Sequence, residues 1–185
     1  MSARRVPEST GTEEKRSIMT LSMYDASVPM FVRQFRALDA IIAKGEAHAA
    51  ATGMDPREIF DSRLAPDMLP FPKQIQIASD MAKGGVARLA GETPPSWPDD
   101  EADLPALRAR IQKTIAYIQS VSADQIRDSE QRDISLKAGA NELHFKGQAY
   151  LLDFVIPNFY FHITTAYALL RQKGVQIGKR DYLGL

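Results

Sequence analysis

Apolar residues in this sequence recur at intervals of three and four, and they do so in four separate segments. The clearest segment carries six of them: Leu104, Leu107, Ile111, Ile115, Ile118 and Val121. This spacing puts the side chains on one face of an α-helix, because an α-helix turns once in about 3.6 residues. Helices with one apolar stripe each bury their stripes against one another. The sequence therefore predicts an all-α fold, an antiparallel four-helix bundle.

Glycine and proline residues set the expected limits of the other helices. The first long helix is predicted over about 23–51, the second over about 73–90 and the last over about 148–173. Pro157 falls inside the last helix and should kink it, because proline has no N–H for the carbonyl four residues earlier. Small residues at 78, 82, 84 and 85 predict that a neighbouring helix approaches the second helix closely.

The segment before the last helix, DISLKAGANELHFKG, alternates apolar and polar residues around Gly139-Ala140-Asn141. Period-two alternation on both sides of a glycine-containing turn is typical of a β-hairpin. We therefore expect a short hairpin-like excursion between the third and fourth long helices, with His144 on its solvated face.

Composition limits the classes of function. Lys plus Arg and Asp plus Glu each total 23, so no overall charge favours binding to nucleic acid. No cysteine is present and no apolar run approaches the roughly 20 residues of a membrane helix, which predicts a cytoplasmic protein without a membrane partner. Residues 1–18 carry no apolar pattern and are predicted to be a disordered lead-in to one domain over 19–185. Met1, Met19 and Met23 are alternative translation starts.

Polar groups meet an apolar helix face in the stretch PNFYFHITTAY. Asn158, His162 and Thr165 lie on one side of the last helix, and the apolar stripe around them points His162 between helices. On the second helix, Gln76 and Asp80 share a face that we expect to open toward His162. A buried imidazole in such a place is a packing residue, a small-ligand contact or a metal ligand.

Three stretches carry a resemblance to a known family: LSMYDASVPMFVRQFRAL, RLAPDMLPFPKQIQIASDMAKG and PNFYFHITTAYALLRQKGVQIGKRDYLG. They resemble a bacterial family of uncharacterised proteins within the DinB/YfiT-like superfamily of proposed metalloenzymes. The resemblance spans about 19–185. It implies an up-down-down-up order of the four helices and assembly as a homodimer.

The same resemblance implies a site of three histidines, one on the second helix and a His-x-x-x-His pair on the last. Here His162 is one candidate, but Asn158 and Ala166 stand at the paired positions, and Ser79 or Asp80 stands where the second helix should supply a histidine. The expected site is therefore a degenerate metal site and no metal cofactor is expected. If a metal is bound, zinc or nickel at His162, Asp80 and Asn158 is the candidate.

Three functional readings follow from these residues. The leading one is a protein that binds an unknown small molecule in a pocket around His162, lined by Asn158, Asp80, Gln76 and Thr165. The alternative is a metal-dependent hydrolase or transferase that uses His162 with Asp80 and Asn158. The third is a non-catalytic structural or partner-binding homodimer.

Overall fold

The computed structural model describes residues 21–139 and 141–185; the predicted disordered lead-in, residues 1–18, lies outside the described residues. The elements of the described part are mostly helical. They are α1 (Val28–Thr52), α2 (Pro56–Phe60), α3 (Phe71–Leu89), α4 (Leu104–Ser120), α5 (Ala123–Ile126), β1 (Asp133–Ala138), β2 (Asn141–Lys146), α6 (Gly147–Ala149), a π-helical segment (Tyr150–Val155), α7 (Ile156–Gln172) and α8 (Lys179–Leu183). Helices α1, α3, α4 and α7 are the four long ones.

Short polar residues and glycine define the helix ends. The Asp103 carboxylate accepts a hydrogen bond from the N–H of Ala106 at 2.8 Å and caps α4, and Asp55 caps α2 in the same way. Gly53 ends α1 in the left-handed conformation with φ of 70°. The first helix begins at Val28 rather than at Met23, because the residues before it form turns that the hydroxyl of Ser27 closes.

The core between α1 and α7 is aromatic. The Phe159 ring meets the rings of Phe31 and Phe35 edge-on, with centroid distances of 4.7 and 5.1 Å, and all three are fully buried. Helix α1 also contacts α4, and α3 contacts both α4 and α7. Each long helix therefore has two long-helix neighbours, which bury its apolar stripe.

The last helical run contains a widened stretch where the sequence predicted a kink. Residues 147–172 are helical without interruption, but the part just before Pro157 is π-helical. Pro157 has no N–H to give to the carbonyl of Asp153, and a wider turn keeps its ring away from that carbonyl. Pro157 therefore changes the hydrogen-bond register of the helix, from the α to the π pattern, in the turn that precedes it.

Helices α3 and α7 run antiparallel and approach closely. Gln74 lies beside His162, and eleven residues later along α3 Gly85 lies beside Val155 of the π-helical segment. A Cβ atom on Gly85 would stand 2.8 Å from Cγ1 of Val155. The small residues of α3 therefore permit the close approach that the sequence predicted.

The predicted hairpin is present before the last helical run. Strands β1 and β2 pair antiparallel, with Ile134 opposite Phe145 and Ser135 opposite His144. His144 is exposed, as expected, and its Nδ1 lies 2.8 Å from the Ser135 hydroxyl. None of the helices in the described ranges has the length and hydropathy that a membrane span requires.

The adjacent glycines of α3 give a matched test of this packing. We expect Gly85→Ala to lower the free energy of unfolding by about 1–3 kcal/mol, because the β-branched Val155 cannot move away from the new methyl group. Gly84→Ala should stay within about 1 kcal/mol of wild type, since alanine favours the helix and its methyl meets only the far end of the long Arg88 side chain, which bonds the Tyr150 hydroxyl. Urea denaturation followed by circular dichroism measures both; equal effects would contradict close α3–α7 packing.

Candidate functional site

His162 lies on α7 with its side chain against α3. The residue is 8% exposed, and its Nδ1 stands 2.7 Å from Oε1 of Gln74, which is 2% exposed. The expectation that His162 faces the second long helix agrees with this position. Its partner there is Gln74 and not Gln76 or Asp80.

The amide of Gln74 fixes the tautomer of the imidazole. Its Nε2 donates to the carbonyl of Leu69 at 2.8 Å, which turns Oε1 toward His162 as an acceptor. Nδ1 of His162 is then the donor, and the neutral ring keeps a lone pair on Nε2. Among residues 21–139 and 141–185, no donor is hydrogen-bonded to that nitrogen.

Burial keeps this ring neutral. Desolvation lowers the pKa of His162 below its ordinary value of 6.5, because the imidazolium form loses its water. The perpendicular ring of Phe161, with its centroid 5.2 Å away, shields one side. At about pH 7 the site therefore presents an uncharged hydrogen-bond acceptor in apolar surroundings.

Asn158 and Thr165 lie near His162 along α7, but their side chains bond to their own helix. Nδ2 of Asn158 donates to the carbonyl of Phe154 at 2.6 Å, and the Thr165 hydroxyl donates to the carbonyl of Phe161 at 2.8 Å. Both bonds reach back four residues, as polar side chains within helices often do. In the described structure neither side chain hydrogen-bonds His162.

Gln76 and Asp80 share a face of α3, but that face meets α4. Oδ1 of Asp80 lies 2.8 Å from Nζ of Lys83, and Nε2 of Gln76 donates to Glu101 at 2.8 Å. Two residues along an α-helix correspond to a rotation of about 200°, so Gln74 and Gln76 point to nearly opposite sides. The structure therefore does not bring this pair to His162.

The α4-facing side of α3 belongs to an ionic cluster around Arg110, whose side chain is only 2% exposed while Asp80 and Asp99 are partly open to solvent. Its guanidinium contacts the carboxylates of Asp80, Asp99 and Glu101 at 3.3, 3.0 and 2.8 Å. Desolvation lowers the pKa of Arg110, but the hydrogen bond and the charge of Glu101 outweigh it, so the pKa is raised overall. The cluster attaches the connection between α3 and α4 to both helices.

The residues that the superfamily resemblance offers for a metal do not fit one. His162 presents a single nitrogen, Asp80 is held by two cations, and Asn158 uses its amide within α7. In the described ranges, no three His, Cys, Asp or Glu side chains are grouped to hold a metal ion. A zinc site needs about four ligands, three of them from protein even when it is catalytic.

A depression of about 420 Å³ lies where α7 meets the connection between α2 and α3, lined by Leu64, Pro157, Tyr160, Phe161, Thr164, Thr165 and Ala168. We call it the Phe161 depression. His162 does not line this depression but is next to it, because the ring of Phe161 contacts the His162 ring and Thr165 lies three residues further along α7. Its exposed apolar members include Phe161 at 57% and Leu64 at 40%.

Gln74 and Arg110 are the residues that sequence reasoning missed. Gln74 carries a signal, since Gln74 and Ala78 are four apart on the side of α3 that also holds Gly85. The small residues mark the side that faces α7. Arg110 lies on the apolar stripe of α4, between Leu107 and Ile111, where a charged residue indicates a buried partner.

Comparison with known proteins identifies the family of this chain. The family described as "Domain of unknown function (DUF1993)" matches residues 23–183. The crystal structure of a DinB family member protein from Shewanella denitrificans is similar, with 39% sequence identity, 88% of this chain and 92% of that chain covered, and a TM-score of 0.80. No curated protein matches the chain. The protein therefore belongs to the DUF1993 family, an uncharacterised DinB-like family.

Proposed function

We propose that this protein binds an apolar small molecule that donates a hydrogen bond to Nε2 of His162. The observation that carries the proposal is the fixed tautomer, in which Gln74 accepts from Nδ1 and leaves the Nε2 lone pair without a described protein donor. Nε2 is not fully buried and water can bond to it, so a ligand with a matching donor would take the place of that water.

The Phe161 depression supports the apolar half of this ligand. Its lining is mostly apolar and includes Leu64, Phe161 and Pro157, and the Thr165 hydroxyl already has a backbone partner. The volume of about 420 Å³ lies within the range of small-molecule pockets. A ring or short chain that carries one hydroxyl or N–H group matches this chemistry.

The architecture proposed with this function is the up-down-down-up four-helix bundle, in a cytoplasmic protein. The packing of α1 against α4 and α7, and of α3 against the same two helices, supports that order.

The metal-dependent alternative has less support, because Asp80 would have to leave Arg110 and Lys83 to reach His162.

Phenol and anisole test the hydrogen bond, because they share a ring but only phenol has a donor. In NMR titrations, phenol should shift the His162 ring resonances and bind roughly three- to tenfold tighter than anisole. His162→Leu should abolish that preference, while His144→Leu, on the exposed hairpin, should retain it. Equal binding of the two probes, or a preference that survives His162→Leu, would contradict the proposal.

The lowered pKa of His162 predicts the direction of a pH effect on stability. The unfolded state binds a proton near pH 6.5 and the folded state only at lower pH, so the stability from neutral His162 is present above 6.5. It should be lost as pH falls through the folded pKa. Urea denaturation from about pH 8 to about pH 5 should show wild type losing stability relative to His162→Gln; a constant difference would contradict burial of the neutral ring.

The exposed apolar side chains favour a second candidate, a homodimer that covers the same surface. Phe161, Leu64 and Leu69 are 57, 40 and 46% exposed, and together they could form the centre of an interface. In that case light scattering at micromolar concentration should give twice the monomer mass, and Phe161→Glu should reduce it to the monomer. Leu152→Glu, at an equally exposed leucine, is the control; a monomeric wild type would remove this candidate.

A further inference from the structure

A groove with a volume of about 650 Å³ lies between α1 and the C-terminal helix α8. We call it the α1–α8 groove. Its accessible apolar lining includes Tyr24, Pro29, Ala40 and Leu185, above the buried Val32 and Ile41, and Gly184 with Asp181 forms the opposite wall. The volume is suited to a small organic ligand.

The sequence of α1 explains how apolar and cationic groups alternate there. Residues 28, 32, 36, 40 and 44 form one ridge at intervals of four, and 29, 33, 37 and 41 form the adjacent ridge. Each ridge starts with apolar residues. Arg33, Arg36 and Lys44 then bring three cations to the groove.

These cations are not equivalent. Lys44 forms an ion pair with Asp181, and its hydrogen bond lowers the pKa of that carboxyl. Arg33 acts on Tyr160, where desolvation raises the pKa of the phenol and the charge of Arg33 opposes that rise. Arg36 is exposed, and within the part of the chain that the structure describes no carboxylate pairs with it. The charges of Lys44 and Asp181 cancel each other. The side chains that line the groove therefore carry a net charge of plus two, from Arg33 and Arg36.

We propose that the α1–α8 groove binds an amphiphilic carboxylate, with its apolar body along Tyr24, Pro29 and Ala40 and its head group on Arg33 and Arg36. Guanidinium groups match carboxylate geometry, since two parallel N–H donors meet two oxygens. Contact with the accessible apolar lining residues of the groove removes the hydrocarbon part of the ligand from water.

A second copy of the chain is a poorer occupant of this groove. A twofold contact through the groove would bring Arg33 and Arg36 of both copies into one interface. Facing like charges in a contact oppose association. Two arginines are also too few for the phosphate contacts that hold nucleic acid. The charge and shape together favour a small anion.

Calorimetric titration with decanoate, below its micelle concentration, tests the proposal against matched probes. Decanol keeps the chain without a charge, decyltrimethylammonium reverses the charge, and decyl phosphate stays anionic but has a different head group with a larger negative charge. We expect decanoate to bind at least about tenfold tighter than decanol, because the head group gains charge-assisted hydrogen bonds. Decyltrimethylammonium should not bind measurably, and decyl phosphate should bind no tighter than decanoate.

Variants locate the binding to the groove. Arg33→Gln with Arg36→Gln should reduce decanoate affinity to that of decanol, and Ala40→Trp should reduce the binding of both probes by filling the groove. Lys137→Gln, which removes one charge from the exposed hairpin, is the matched control and should bind like wild type. His162→Leu should also leave decanoate binding unchanged, which separates this inference from the function proposed above.

Three results would overturn the inference. Decanoate and decyltrimethylammonium could bind equally, which would show an apolar surface without charge selection. Decanoate binding could persist in the Arg33→Gln, Arg36→Gln variant, which would place it elsewhere. Tighter binding of decyl phosphate than of decanoate would replace the carboxylate with a phosphate ligand.

Discussion

The packing of α3 against α7 is the constraint on which the rest of the molecule depends. Gly85 allows the two backbones to approach, because any Cβ at that position would press on Val155. The same antiparallel alignment brings Gln74 to His162, eleven residues earlier along α3. A wider separation would leave two buried polar side chains without each other, at a cost of about 1–3 kcal/mol for each unsatisfied group. The polar contact and the close apolar packing therefore support one another.

Buried polar groups are compensated in different ways on the two sides of α3. Toward α7, Gln74 and His162 meet as neutral groups, so little charge is desolvated. Toward α4, the charge of Arg110 is buried, and three carboxylates compensate for it. Removing one partner from such a cluster costs more than the pair contributes, since an uncompensated charge remains. This arrangement holds Asp80 away from His162 more firmly than helix geometry alone would.

Much of the fold could be predicted from sequence, because its signals are local. The apolar period located the long helices, the alternation around Gly139 located the hairpin, and the aromatic stripe turned His162 inward. The partners of the polar residues could not be predicted in the same way. Whether Gln74 or Gln76 meets His162 depends on the rotation of α3 about its axis, which sequence spacing leaves open. The Arg110 cluster also depends on how the connection between α3 and α4 folds back.

His162 makes one of the two contacts that are typical of a metal-binding histidine, the hydrogen bond from the ring nitrogen that does not bind the metal. In metal sites such a histidine commonly donates one ring N–H to a neighbouring oxygen, which orients the other nitrogen toward the metal. Gln74 performs that outer role here, while Asn158 and Asp80, at or next to the positions where the sequence resemblance implied histidines, are bound elsewhere. One imidazole nitrogen gives a metal ion too little coordination. It is nonetheless a complete partner for a single hydrogen-bond donor, which needs one lone pair in fixed orientation. The chemistry that best matches the remaining residues is therefore recognition of a donor group.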